Sequence, residues 1–207
     1  GSVLDDDTGT PANTYNVLDL ILAEGRTPPP IRGHYTSSAC GVCGADSIDS
    51  LGRQGRYAVD EDHTEVSSEL LVRLPQLLGE KQRTFDSTGG VHAAGLFTTD
   101  GTALVVREDV GRHNAVDKVI GWALLAGRLP LAGIVLQVSG RLSFELVQKA
   151  YLAGVPIVSA VSAPSSLAVA TGQRLGLTIA GFVRGSSMNL YAHAQRVRAT
   201  SADQLVA

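Results

Sequence analysis

Ile134-Val135-Leu136-Gln137-Val138-Ser139-Gly140-Arg141-Leu142-Ser143-Phe144-Glu145-Leu146-Val147-Gln148-Lys149-Ala150-Tyr151-Leu152-Ala153-Gly154-Val155-Pro156-Ile157-Val158-Ser159-Ala160-Val161 packs three patterns into one continuous stretch. Ile134 to Val138 is a short, β-rich apolar run with the character of a buried strand. Leu142, Leu146, Val147, Ala150 and Tyr151 then recur at helical spacing, and Gly154 ends the stripe. Pro156 to Val161 is a second buried run. A strand, a helix and a strand in such close succession form a crossover unit, and crossover units build parallel sheet.

The same alternation extends in both directions. Upstream, Ala115, Val116, Val119, Ile120, Ala123 and Leu124 form a helical stripe, and downstream Ser165 caps a further helix that Gly176 stops before a last strand, Leu177 to Val183. Val91 to Thr98 and Thr102 to Arg107 flank Asp100-Gly101 as a β-hairpin. Before that, Ser67 caps a short helix carrying Leu70, Leu71, Leu74, Leu77 and Leu78, with Pro75 weakening its end. Val17 to Leu22 reads as a strand, and Gly25 to Pro30 as a break leading through Ile31 to Tyr35. The expectation is an α/β layered sheet with its later strands parallel.

At 207 residues, 44% hydrophobic and 18% charged, the chain can bury one sizeable core. A net charge of −3 with no cluster of Lys or Arg points away from nucleic acid and from an anionic membrane surface. No apolar run is long enough to span a bilayer, so a cytoplasmic location is expected. Gly1-Ser2 reads as a cloning remnant, and residues 1–15 as a turn-rich leader.

Both cysteines of the chain, Cys40 and Cys43, stand in Ser37-Ser38-Ala39-Cys40-Gly41-Val42-Cys43-Gly44. Glycines and small polar residues around the pair favour an exposed, bendable loop and a reactive thiolate. The spacing fits a thiol–disulfide redox pair, half of a zinc site, another nucleophile, or two incidental thiols. A zinc site needs three or four donors, and the five histidines are scattered.

In parallel sheets ligands bind beyond the carboxyl ends of the strands, beside helix N-termini. Glu108-Asp109-Val110-Gly111-Arg112-His113-Asn114, Ser139-Gly140-Arg141 and Ser162-Ala163-Pro164-Ser165-Ser166 occupy such places. Small residues, hydroxyls and the arginines suit an anion or nucleotide pocket, while helix capping accounts for the same glycines and serines. Phe182-Val183-Arg184-Gly185-Ser186-Ser187-Met188-Asn189 is a fourth loop of this kind, or an ordinary solvated turn. Glu108 and Asp109 are expected to form an ion-pair network with Arg107 and Arg112.

Ser38 to Gly44, Thr88-Gly89-Gly90-Val91-His92-Ala93-Ala94 and above all Arg107-Glu108-Asp109-Val110-Gly111-Arg112-His113-Asn114-Ala115-Val116-Asp117-Lys118 resemble the FdhD family of formate dehydrogenase accessory sulfurtransferases. Ser139 to Glu145, Ser162 to Ala168 and Met188-Asn189 agree, so the resemblance runs from about Asn16 to the C-terminus. It implies a cytidine-deaminase-like three-layer α/β fold with a mixed sheet over residues 88–207, preceded by a small strand and cysteine-loop region over 16–87. The zinc-holding residues of deaminases are replaced here by His113-Asn114-Ala115 and Ser139 to Phe144, so no metal site is expected. The family is understood to accept sulfur from a cysteine desulfurase as a persulfide and to pass it to bis(molybdopterin guanine dinucleotide) molybdenum cofactor for formate dehydrogenase. The resemblance then implies that Cys40 carries the sulfur, with Cys43 attacking the persulfide or tuning Cys40. It places cofactor contacts at Phe182, Val183, Arg184, Gly185, Ser186 and Ser187, with Met188 and Asn189 adjoining. Gly111, Arg112, His113, Ser139, Gly140, Arg141 and Ser162 supply further donors, and a guanine nucleotide would mimic the substrate. A homodimer is expected. The alternatives are a redox protein using the cysteine pair and a non-catalytic cofactor-binding chaperone.

Overall fold

The computed structural model describes residues 22–27, 48, 51–52 and 55–199. The chain divides into two compact units, Gly1–Gly41 and Val42–Ala207. The described part of the first is a turn closed by the Arg26 amide donating to the Ala23 carbonyl at 3.0 Å. The expected strand from Val17 falls, apart from Leu22, outside the described residues.

In the second unit β1 (Val66–Ser67) leads into α1 (Ser68–Gly79) and the short α2 (Arg83–Thr88). The hairpin β2 (His92–Phe97) and β3 (Ala103–Asp109) follows, then α3 (Arg112–Leu125), β4 (Val135–Val138), α4 (Phe144–Leu152), β5 (Ile157–Ala160) and α5 (Ser166–Leu175). The chain finishes with β6 (Thr178–Arg184), β7 (Ser187–Ala192), a 3₁₀ turn and β8 (Val197–Arg198). Six strands form one mixed sheet in the order β3-β2-β4-β5-β6-β7. The strands β4, β5 and β6 are parallel, as the crossover pattern requires, and both flanking pairs are antiparallel.

Alternation along the strands divides the core between two faces. Ala94, Leu96, Leu136, Val138, Val158, Ala160 and Ile179 pack with α3, α4 and α5, whereas Ala93, Phe97, Val135 and Ile157 pack beneath α1. The result is three layers. Ser67 caps α1 as expected, its hydroxyl accepting from the Leu70 amide at 3.2 Å. Pro75 does not end the helix, which runs on to Gly79. Leu70, Leu71, Leu74 and Leu78 are all buried, and at about 2 kcal/mol each they outweigh the roughly 3 kcal/mol cost of an interior proline.

Two expectations need correction. Leu124 is 62% exposed rather than part of the buried stripe, because it lies about 100° around the helix from Ala123. The strand ending near Val183 is not the last: Arg184 pairs with Ser187, and β7 returns antiparallel to β6. The stretch Arg184-Gly185-Ser186-Ser187 is therefore a hairpin turn, with Gly185 at φ +59°.

Arg196, only 5% exposed, ties the ends of this unit together. Its guanidinium donates to the carbonyls of Asp62 at 2.8 Å, Val59 at 2.8 Å and Gly176 at 2.6 Å. Replacing it strands these carbonyls, each costing about 1–3 kcal/mol when buried without a donor. Arg196→Met is expected to destabilise the protein by about 3 kcal/mol, read as a lower urea midpoint, and Arg196→Lys to restore little because an ammonium cannot span three carbonyls.

Candidate functional site

Register brings the loops together. His92 at the start of β2 lies opposite Asp109 at the end of β3, and Ala94 lies opposite Val138, which in turn faces Ala160. The loops after β3, β4, β5 and β6 and the loop before β2 therefore meet at one edge of the sheet, the carboxyl edge of its parallel strands. All the sequence-derived site residues outside the cysteine loop fall here. Cys40 and Cys43 lie outside the described residues.

The loop after β3 is built around Asp109. Its Oδ1 accepts from the Gly111 amide at 2.8 Å and from Asn114 Nδ2 at 3.0 Å, while Oδ2 meets Lys118 Nζ at 2.6 Å. These donors, Lys118 first, lower the Asp109 pKa to about 2. Glu108 is occupied elsewhere, its carboxylate accepting from the Thr84 and Phe85 amides at 2.9 and 2.8 Å and so capping α2. The ion pair thus forms with Lys118, whereas Arg107 donates to the Val106 carbonyl at 2.9 Å. That correction leaves Arg112 uncommitted at its Nε, which is buried with no hydrogen-bond partner among the described residues.

His113, in the first turn of α3, reaches across to the start of α4. Its Nε2 lies 3.1 Å from Ser143 Oγ and 3.8 Å from Glu145 Oε2. Ser143 stands at the N-cap of α4 without a side-chain capping bond, its hydroxyl meeting His113 instead. Burial, and then the Arg112 charge, lower the His113 pKa, while Glu145 opposes them. A histidine–serine contact thus joins the starts of α3 and α4.

The loops after β4 and β5 are laced to each other. Ser139 Oγ accepts from the Ala93 amide at 2.9 Å, the Leu142 amide donates to the Ala163 carbonyl at 3.1 Å, and the Ser165 amide donates back to Leu142 at 2.9 Å. A Cβ at Gly140 would come within 3.3 Å of the His92 ring, so glycine permits this approach. Ser162 accepts the Phe182 amide at 3.2 Å through its carbonyl. Phe182 itself adopts φ +54°, a left-handed conformation that costs a non-glycine residue about 1–3 kcal/mol. This residue sits where the β6–β7 register shifts, so the bulge re-aims the hairpin tip. Arg184, Gly185, Ser186, Ser187 and Asn189 are exposed there, Phe182 and Met188 are half-buried, and Val183 is fully buried and meets a ligand only through its backbone.

On the α1 face of the same edge a cleft of about 500 Å³ opens. Val91, Ser139 and Val161 form its floor, with Pro75, Gln82 and Phe85 above them. Sequence reasoning did not find Gln82 or Phe85, because α2 has too few residues to leave a periodic signal. Among the described residues no three His, Cys, Asp or Glu side chains gather as a metal site, and no helix is long and apolar enough to cross a membrane.

A three-layer α/β body with loops collected along one sheet edge defines the class of protein. The chain belongs to the FdhD/NarQ family, whose sequence model matches residues 22–198. It is 54% identical over 189 residues to the sulfur carrier protein FdhD of Mycolicibacterium paratuberculosis, covering 90% of this chain and 70% of that one. The FdhD of Streptomyces coelicolor is 55% identical over 190 residues, with 90% and 67% covered. A crystal structure from Desulfotalea psychrophila, described as a formate dehydrogenase accessory protein, superposes with a TM-score of 0.63 at 29% identity. That likeness covers 72% of this chain and 62% of the other.

Two titrations test the site. By NMR the Asp109 carboxyl should titrate near pH 2, so its contribution to loop stability is present above about pH 4 and lost as pH falls through 2; Lys118→Met should move the midpoint up toward 3.8. His113 should titrate below its ordinary 6.5, and Glu145→Gln should lower it further by removing the stronger of the two carboxylates, Glu145 and Asp117, that oppose burial.

Proposed function

We propose that this protein is a sulfur carrier that serves the maturation of formate dehydrogenase. The observation that carries the reading is the family relationship: relatives more than half identical over about 90% of this chain bear the name sulfur carrier protein FdhD. The chain keeps the chemistry such a carrier needs, a cysteine pair, Cys40 and Cys43, among glycines and small residues.

In the first step the Cys40 thiolate attacks the terminal sulfur of a persulfide on a cysteine desulfurase. A new S–S bond forms on Cys40, the donor's S–S bond breaks, and the donor cysteine leaves as thiolate. The substrate that receives the sulfur is the bis(molybdopterin guanine dinucleotide) form of the molybdenum cofactor. Its diphosphates call for backbone amides and arginines, and the carboxyl edge offers Arg112 with its unpartnered Nε, the exposed Arg141 and Arg184, and the Gly185-Ser186-Ser187 turn. Gly111, His113, Ser139, Gly140 and Ser162 border the same edge and supply close backbone approach and polar groups. The protein acts as a sulfurtransferase and works as a homodimer.

Incubation with a cysteine desulfurase and cysteine should add the mass of one sulfur to Cys40, and Cys40→Ala should abolish that gain. Equal gain in Cys40→Ala would show that another group carries the sulfur. If Cys43 resolves the persulfide, Cys43→Ala accumulates it. Activation of formate dehydrogenase by a variant lacking both thiols would instead establish a non-catalytic chaperone, and reduction of a test disulfide without a nucleotide would establish a redox protein.

A further inference from the structure

We infer that the outer edge of β3 is a docking site for an extended, acidic segment of a partner protein, which adds to the sheet as a further strand while Lys81, Arg83 and Arg107 take its carboxylates. None of the ligand-binding residues assigned above lines this site. The inference goes beyond the sulfur-carrier reading and does not depend on it.

The strand β3 ends the sheet order, and among the described residues nothing pairs with its far side. A groove of about 390 Å³ runs there, lined by Ala103, Leu104, Val105 and Val106 of the strand. Side chains of a strand alternate between its two faces, so four consecutive residues border one groove only through the backbone edge. Two carbonyls show that this edge lacks a neighbouring strand: Val106 accepts from Arg107 Nη1 and Glu108 from Lys118 Nζ, both at 2.9 Å. They stand two residues apart, as groups on one edge of a strand must. An unpaired row of amides and carbonyls is a template for another strand, and strand addition is a recurrent way to hold an extended peptide.

The opposite wall decides which peptide fits. Glu80, Lys81 and Arg83 form it, at the turn between α1 and α2. Glu108 fixes that turn beside β3, because its carboxylate accepts from the Thr84 and Phe85 amides. Glu80 accepts from Gln76 Nε2 at 3.1 Å, whereas the exposed Lys81 and Arg83 side chains make no ion pair or hydrogen bond among the described residues. Arg107 is exposed as well. An incoming backbone amide takes over the Val106 carbonyl, which releases the Arg107 guanidinium to a carboxylate. Lys81, Arg83 and Arg107 against Glu80 alone leave the groove positive, in a chain whose net charge is −3. A second copy of β3 would bring the same cations together, and a neutral or basic segment would leave them unmatched. An acidic strand satisfies both the edge and the charges.

The test adds a capped peptide of the length of β3, alternating Glu and Val, to the full chain and follows the backbone amides by NMR. Shifts centred on residues 103–107 and slowed exchange of the Val106 amide support the assignment. Replacing Glu by Gln in the peptide should weaken binding about fivefold or more, as should Lys81→Gln combined with Arg83→Gln, both at exposed positions that do not threaten folding. Methylating the peptide's backbone nitrogens should abolish binding, since it removes the donors to the edge and leaves the protein untouched. Equal binding of the Gln or the methylated peptide would overturn the inference, as would shifts confined to other loops or no binding at millimolar peptide. Protection of the Val106 amide that rises with protein concentration in the absence of peptide would also overturn it, by making the occupant a second copy of this chain.

Discussion

The parallel pairing of β4, β5 and β6 is the constraint on which the rest of the molecule depends. Parallel strands need a helix to carry the chain back, so each strand ends, and each helix begins, at the same edge. The antiparallel hairpin on one side and β7 on the other then bring the Asp109, His92 and Ser187 ends to that edge as well. Five loops converge without any of them being near another in sequence. The polar groups exposed by helix N-termini and strand ends have to be satisfied somewhere, and this edge is where that demand concentrates.

How the loops meet that demand separates structural from available groups. Asp109 is consumed by Gly111, Asn114 and Lys118, Glu108 by the start of α2, and Ser165 by the cap of α5, where its hydroxyl accepts from Ala168. These residues shape the edge. Among the described residues, Arg112 Nε and the exposed hairpin tip at Arg184 to Ser187 are what remains at this edge for a ligand. The strained Phe182 belongs with them, since a left-handed phenylalanine persists only where the surrounding bonds over-determine it.

Much of the fold was legible because its signals are local. Ser67, Ser165 and Gly176 act through neighbours within one helical turn, and each does in the structure what its position implies. The hairpin around Asp100-Gly101 and the crossover from Val135 to Ala160 are likewise visible in spacing alone. Where reading failed, the decisive partner was remote or the element too short. Pro75 was expected to weaken α1, yet four buried leucines hold it. The β7 strand hid behind a Gly-Ser-Ser turn that suited a ligand loop equally well.

The amino-acid sequence by itself determined the order of strands and helices, their caps, the crossover that makes the central sheet parallel, and the long motif around Arg107 to Lys118 that marks the family. Only the tertiary structure decided which polar side chains are spent and which are left over. Arg196 bonds to Asp62 across 134 residues, Glu108 to Thr84 across 24, and His113 to Ser143 across 30. Such pairings depend on where the sheet places each end, and no local pattern encodes them. Gln82 shows the consequence: a glutamine of no account in the sequence becomes, once α1 and α2 close over the sheet, a buried residue that lines a cleft.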